Sequence, residues 1–441
     1  MKRACLLWAA AACWFAVPFF LQAQQRWTLR QCIDYALEHN VDVQRTRVSV
    51  QQSQVEANTA KWARLPQVSA GAGQNWSWGR SASPVDNTYS DIHSGNTSFS
   101  LSASIPLFTG LQLPNEHALA KLNLKAALED LNKVKDDLAV NVASAYLQVL
   151  FNEELAAVAR QQADLTRQQA ERLSRLEAVG KASPSETAEA EARLAQEEMN
   201  VVQAENNRRL ALLELSQLLE LPSPEGFALE VPAGQPDFAP LTPPDAIYVQ
   251  ALAFRPEIKA AKYRLEGSDK SIRIAQSAFY PQLSLSGGLG TSYYTVSGGT
   301  TLGFSDQMKN NFNRYVGLNL SIPLFNRLAT RNRVRTARLQ QNDLLLQLDN
   351  TKKALYKEIQ QAWYNALAAE SKYRSSEAAV RAGETSFRLM EEKFRNGQAN
   401  FVEFTEAKVN LAKAQSDRLQ AKYEYLFRTK ILAFYEGKPI A

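Results

Sequence analysis

The chain reads as mostly α-helical with some β-structure, arranged as two similar halves. Three observations carry that expectation. The pentapeptide SIPLF occurs at Ser104–Phe108 and again at Ser321–Phe325, and a segment recurring at half the chain length marks an internal duplication. Each copy closes a run in which apolar and small polar residues alternate. Each is followed by a very long stretch with few helix breakers, from about Leu111 to Val179 and from about Leu328 to Phe394.

Taken in order, the N-terminus comes first. Met1-Lys2-Arg3 is a short basic segment, Ala4 to Phe20 is apolar, and Leu21-Gln22-Ala23 precedes Gln24. This pattern predicts a signal peptide over 1–23, since the apolar run is at the short end for a membrane-spanning helix. A retained anchor, or lipidation at Cys13, is the alternative. Of the three Cys, Cys5 and Cys13 leave with that segment. Cys32 then has no intrachain partner and reads as a buried structural thiol beside Ile33 and Leu37.

The two halves follow as 24–220 and 245–441. Leu29–Gln44 precedes Leu65–Gly73 in the first, and Ala246–Ala261 precedes Tyr280–Gly288 in the second. Between the halves, the Pro-rich segment 221–244 can be neither one helix nor a central strand and reads as a connector.

In the first strand pair, Val68, Ala70, Ala72, Trp76 and Trp78 share a face, as do Phe99, Leu101, Ala103, Ile105 and Leu107. In the second, Leu283, Leu285, Leu289 and Tyr293 match Val316, Leu318, Leu320, Ile322 and Leu324. Period two gives each strand one apolar and one small polar face. Runs of about 10 residues suit a tilted membrane-spanning strand. A soluble sandwich with one buried face has the same alternation, but the secretory leader and the Trp and Tyr near strand ends favour a barrel. Four strands per chain cannot close around water, because small barrels start near about 8 strands. An open edge in lipid leaves backbone groups unpaired, so several chains must share one barrel. Pro106–Phe108 and Pro323–Phe325 sit where strand gives way to helix, because Pro cannot donate to a ladder.

The long stretches are rich in Ala, Leu, Gln, Glu, Lys and Arg, with apolar residues every three or four positions. Helices of that length need partner helices. Each is broken by a glycine turn, Ala178–Glu186 and Arg395–Glu403, after which helical sequence resumes toward Leu219 and Phe434. Gly180 and Gly397 permit a left-handed helix end, and Ser183 and Asn400 can cap the next helix.

Composition narrows the function. With 50 basic and 45 acidic residues and a net charge of +5, there is no basic block, so nucleic acid is not an expected partner. The three His are scattered, no cluster has metal-ligand spacing, and no phosphate loop, nucleophile elbow or dinucleotide fingerprint is present. No cofactor is implied, and an enzyme or metal-binder reading has no supporting residues. A periplasmic coiled-coil spacer or adhesin without pore activity remains the alternative to a channel.

Together these residues resemble the TolC family of outer-membrane efflux proteins, from Leu29 to about Glu436. The carriers are the twice-occurring strand–strand–long helix–turn–helix order, the PLF endings and the paired glycine turns. The resemblance implies a homotrimer in the outer membrane of a Gram-negative bacterium. Three chains would form a twelve-stranded barrel in lipid, continuing into a helical tunnel across the periplasm. It implies an exit duct for efflux or type I secretion, performing no chemistry. Gly180, Ala182, Ser183, Gly397, Ala399 and Asn400 fall at the family's periplasmic tips, where an adaptor protein linked to an inner-membrane pump docks. Glu403 and Glu406 match acidic positions of its closing constriction, and Glu186 and Glu189 lie correspondingly after the first turn. Two positions depart from the best-known pattern: Phe394 stands where a hydrogen-bonding Tyr is found, and Ala399 where an Arg can be. The segment Gly79–Asn96 resembles the first extracellular loop of Bacteroidota members.

Overall fold

The computed structural model describes residues 26–82, 87–224, 227–231, 238, 240–297 and 301–440. The expected signal peptide, Cys13 and parts of the connector and outer loops lie outside these residues.

The chain opens with a short strand β1 (Arg26–Trp27), then helices α1 (Leu29–His39) and α2 (Val41–Trp62). Thr28 and Gln31 cap α1 reciprocally: the Gln31 N–H donates to Thr28 Oγ1 at 3.2 Å and the Thr28 N–H to Gln31 Oε1 at 2.9 Å. Asn40 ends α1 and caps α2 through its side-chain oxygen. Strands β2 (Gln67–Ala82) and β3 (Tyr89–Phe108) follow, then α3 (Gln112–Ala178) and α4 (Pro184–Leu218). Beyond β4 (Ala228–Leu229) come α5 (Pro244–Phe254), α6 (Pro256–Ser277), β5 (Gln282–Val296), α7 (Phe304–Asn310), β6 (Asn313–Ser321), α8 (Ala329–Arg395) and α9 (Phe401–Tyr435).

The long helices form as their composition demands. Both α3 and α8 have 67 residues, and α4 and α9 both have 35. At 1.5 Å per residue the longer pair extends about 100 Å. Such helices are stable only when packed. Small buried residues let neighbours approach closely: Ala156, Ala163 and Ala170 on α3, Ala190 and Ala204 on α4, Ala362, Ala366 and Ala369 on α8. The largest core gathers Cys32, Tyr146, Leu150, Leu215 and Leu219 where α1, α3 and α4 meet. There the Tyr146 hydroxyl donates to the carbonyls of Trp27 (3.1 Å) and Glu230 (2.5 Å), fastening the parallel β1–β4 pair to α3. A second core joins Ile247, Ile258, Leu355, Ile359 and Leu432. The connector packs against the helices: Phe227 meets Trp27, and Phe238 lies on Tyr373 and Tyr425 with Arg374 over its ring at 4.1 Å.

The remaining strands form one antiparallel sheet in the order β2-β3-β5-β6. Its register aligns the expected faces. Ala70 lies opposite Leu101, which lies opposite Leu289; Ile105 lies opposite Leu285, which lies opposite Leu318. Directly opposed residues point to the same side, so the apolar residues make one continuous face. On the other face Ser104 opposes Ser286, and the hydroxyls of Ser69 and Ser102 are 2.9 Å apart. Among the described residues no second layer covers the apolar face: Val316 is 82% exposed, Leu318 68% and Leu101 44%. Strands β2 and β6 each pair on one side only.

Several sequence expectations need correction. Strands of about 10 residues were the expectation for membrane crossing, but β2 has 16 residues, β3 has 20 and β5 has 15; only β6, with 9, is that short. Gly79–Asn96 is not one loop. The ladder runs out to Ala82 and resumes at Tyr89, with Arg80 opposite Asp91 and Gly79 opposite Ile92, because polar and glycine residues still offer the backbone groups an antiparallel ladder needs. The SIPLF copies also differ. Pro106 lies inside β3 at a bulge between Pro106 and Phe108, whereas β6 stops at Ser321 before Pro323. Helix α7 was not anticipated. It is pinned to β5 by Gln307, whose side chain accepts from the Tyr294 N–H and donates to its carbonyl, both at 2.8 Å.

Candidate functional site

The glycine turns at the ends of the two helical hairpins share one geometry. In the first, Gly180 takes φ +68°. Its N–H donates to the Glu177 carbonyl, and that of Lys181 to the Leu176 carbonyl, both at 2.8 Å. In the second, Gly397 takes φ +71°. Its N–H donates to the Phe394 carbonyl at 3.1 Å, and that of Gln398 to the Lys393 carbonyl at 2.8 Å. These closures satisfy the last carbonyls of α3 and α8. The return helices then start on capping boxes. Ser183 and Asn400 accept from the first turn, while Glu186 and Glu403 reach back to the Ser183 N–H (2.9 Å) and the Asn400 N–H (3.0 Å). Ser183, Asn400 and all four acidic candidates are exposed, and Ala182 and Ala399 are half-buried.

The four glutamates therefore divide by role. Glu186 and Glu403 are held in cap bonds on the first turn of their helices. Glu189 and Glu406 sit one turn further along without such bonds. The two tips also touch each other. Phe394 packs against the buried Ala170–Ala190 contact of the first hairpin. It stacks on the buried Phe404 of α9 with ring centroids 4.7 Å apart and an interplanar angle of 20°. The position without a hydroxyl is thus filled by aromatic stacking.

The sequence profile of the outer membrane efflux protein family matches residues 32–220 and again 247–436. The chain belongs to this family. The outer membrane protein TolC of Escherichia coli (strain K12) is 24% identical over 415 residues, covering 92% of this chain and 81% of that protein. The pyoverdine export outer membrane protein OpmQ of Pseudomonas putida is 26% identical over 437 residues, covering 91% of this chain and 85% of that one. The solved CmeC outer membrane channel of Campylobacter jejuni superposes with a TM-score of 0.80 at 18% identity, covering 94% of this chain and 86% of that chain. The structure of CusC gives a TM-score of 0.77 at 18% identity, covering 93% and 92%. This efflux-family protein is accordingly an outer-membrane protein and not an enzyme. Among the described residues no group of three or more His, Cys, Asp or Glu is arranged to hold a metal, and no helix is long and apolar enough to cross a membrane.

One residue of this efflux protein's tip region escaped the sequence reading. Lys408 of α9 is only 7% exposed. Its ammonium donates to Thr166 Oγ1 at 2.6 Å and to the Gln162 carbonyl at 3.3 Å, both on α3. Its pKa is pushed down to about 8, chiefly by burial, with Arg193 adding to the fall and Glu197 opposing it. The signal was present: Phe404, Lys408 and Leu411 recur at helical spacing on the buried stripe of α9. Further along the same contact, the Glu154 carboxylate of α3 accepts from Lys422 (3.3 Å) and from the Tyr423 hydroxyl. These bonds tie the second hairpin to the first.

Proposed function

We propose that this protein is the exit duct of a tripartite efflux or type I secretion system, with three copies closing one twelve-stranded barrel. One observation carries the reading: an isolated four-stranded sheet with an uncovered apolar face, a small polar face and two unpaired edges. In water such a face and such edges invite aggregation. In lipid the apolar face is satisfied, and the edges must pair with those of other copies. The serine-rich face then lines a wet pore. A soluble sandwich would need a covering layer, and none exists among the described residues.

In this reading residues 1–23 are a cleaved signal peptide. Residues 24–220 and 245–441 are duplicated halves around the connector 221–244, a division that the equal helix lengths support. The relatives named for pyoverdine export and for alkaline protease secretion support a transport role whose energy comes from an inner-membrane pump. A periplasmic adaptor would dock at the tips around Gly180, Ala182, Ser183, Gly397, Ala399 and Asn400. Closure would gather carboxylates near the axis. Glu406 and Glu189 suit that task better than Glu403 and Glu186, whose carboxylates are engaged in capping.

The test is the mass of the purified protein, measured by light scattering with the detergent contribution subtracted. A detergent-dependent particle of three chains is expected. A monodisperse soluble particle without detergent would overturn the barrel and favour the periplasmic spacer.

A further inference from the structure

The start of α8 carries four arginines and no acid between Ala329 and Asn342: Arg331, Arg333, Arg335 and Arg338. This is the unfavourable end of a helix for cations, because its free N–H groups already make it positive. Arg331, Arg335 and Arg338 follow i, i+4, i+7 spacing and share one flank, whereas Arg333 projects from the other. Thr330, Val334 and Ala337 form the buried stripe that packs toward Ile272 and Ala275 of α6. Among the described residues none of the three aligned guanidiniums has an ion-pair or hydrogen-bond partner. The facing end of α6 offers no compensation: it adds Lys270 and Arg273, and its last acid, Asp269, accepts a hydrogen bond from Gln341.

The three side chains line a cleft of about 770 Å³ between α6 and α8, completed by Gln276, Phe279 and Tyr280. Phe279 and Tyr280 are exposed, and they belong to a collar at the strand–helix junctions with the exposed Trp62, Phe108 and Phe325. Aromatic collars mark the boundary between hydrocarbon and headgroups. Arg331 to Arg338 then span about 10 Å along the helix axis just inside that boundary. Guanidinium forks match phosphate oxygens in geometry as well as charge.

We infer that this cleft binds the phosphate headgroup of an anionic phospholipid from the inner leaflet of the outer membrane, with Arg331, Arg335 and Arg338 as its ligands. The acyl chains run up past Phe279 and Tyr280 toward the apolar face of the sheet. This assignment rests on the barrel reading above. It gives the duct a fixed depth in the membrane, because the headgroup is anchored where strand becomes helix.

The test uses the full protein in nanodiscs of phosphatidylglycerol or of phosphatidylcholine, with retained lipid counted by native mass spectrometry after transfer to detergent. Wild type should retain phosphatidylglycerol preferentially. Arg331→Gln/Arg335→Gln/Arg338→Gln should retain at least about tenfold less, since each basic residue adds to the attraction for an anionic headgroup. Arg333→Gln, on the opposite flank, should behave as wild type, and planar-bilayer conductance of the triple variant should persist. Equal retention by the triple variant, equal retention of both lipids, or displacement by inorganic phosphate alone would overturn the inference while leaving the duct intact. Failure of wild type to enter the nanodisc would instead overturn the barrel reading.

Discussion

The two SIPLF segments have identical letters and different structures. Pro106 stays within β3 because β5 still runs alongside it, with Ser284 opposite Pro106 after the β2 ladder has ended at Ser104, and a bulge follows the missing N–H; Ser321 already opposes Gln282, the first residue of β5. Pro323 follows an edge strand with one partner, and β6 ends before it. The turns that follow share their geometry but not their letters. The first half enters α3 through two left-handed residues, Gly110 (φ +62°) and Leu111 (φ +66°); the second enters α8 through Arg327 (φ +55°) and Leu328 (φ +63°). In the hairpins, Glu191 is exposed, while Lys408, at the corresponding distance from its cap, is buried. The difference teaches that position within the chain, not the local letters, sets these structures. Helix α3 is flanked within the chain by α1, α2, α4, α6 and α9; α8 has α5, α6 and α9. Each half presents one edge of the sheet, β2 from the first and β6 from the second, where further copies complete the surroundings in the duct we propose.

The largest effect that would sharpen this contrast is expected at Gly110. A Cβ there would lie 2.6 Å from the Ser277 carbonyl oxygen and 2.8 Å from Tyr280 Cβ, at a φ that L residues avoid. Gly110→Ala should cost about 4 kcal/mol, from backbone strain plus overpacking, read as a fall in thermal midpoint. An unchanged midpoint would mean the first junction is no tighter than the second.

Next comes Lys408→Met. Because burial lowers the lysine's pKa from 10.5 to about 8, the unfolded chain holds an extra proton between those values. Wild-type stability should therefore rise with pH from about 8 toward 10.5 and be flat below about 8. The Met variant should lack that rise and be more stable at neutral pH by on the order of 2–3 kcal/mol. A matching rise in the variant would clear Lys408 of the effect.

The smallest effect belongs to the second junction. Arg327→Gly removes a side chain from a left-handed position and should stabilise by about 0.5–1 kcal/mol, the relief exceeding glycine's entropy cost. A loss of stability would mean that the Arg327 side chain makes contacts outweighing its strain.

Much of this was legible in the sequence. Strong propensity and the absence of Pro beyond Pro114 set α3 and α8 to within a residue or two of their expected ends, and period two assigned the faces of the paired strands, although Ile322 and Leu324 lie beyond β6. The glycine turns were legible because a left-handed helix end has few residue solutions. Strand lengths were not, because Gly79–Asn96 looks like loop sequence and only cross-strand pairing extends the ladder through it. The fate of Pro106 depends on β5 extending past it to Leu283, which no local pattern encodes. Glu403 sits three residues past a cap-forming Asn400, so its capping role was readable but eclipsed by the acidic pattern. Lys408 was visible only as a charge on an apolar stripe, and its partner Thr166 lies 242 residues away.

The most direct test of the central claim, that the uncovered sheet becomes the wall of a gated pore, is single-channel conductance in a planar bilayer. Wild type would be measured beside Glu403→Gln/Glu406→Gln, since Gln at 403 preserves the capping box. The account predicts discrete wild-type channels of small conductance that increases in the double variant. Folded protein that never inserts would contradict it; equal, sizeable conductance in both would keep the pore and remove these glutamates from its closure.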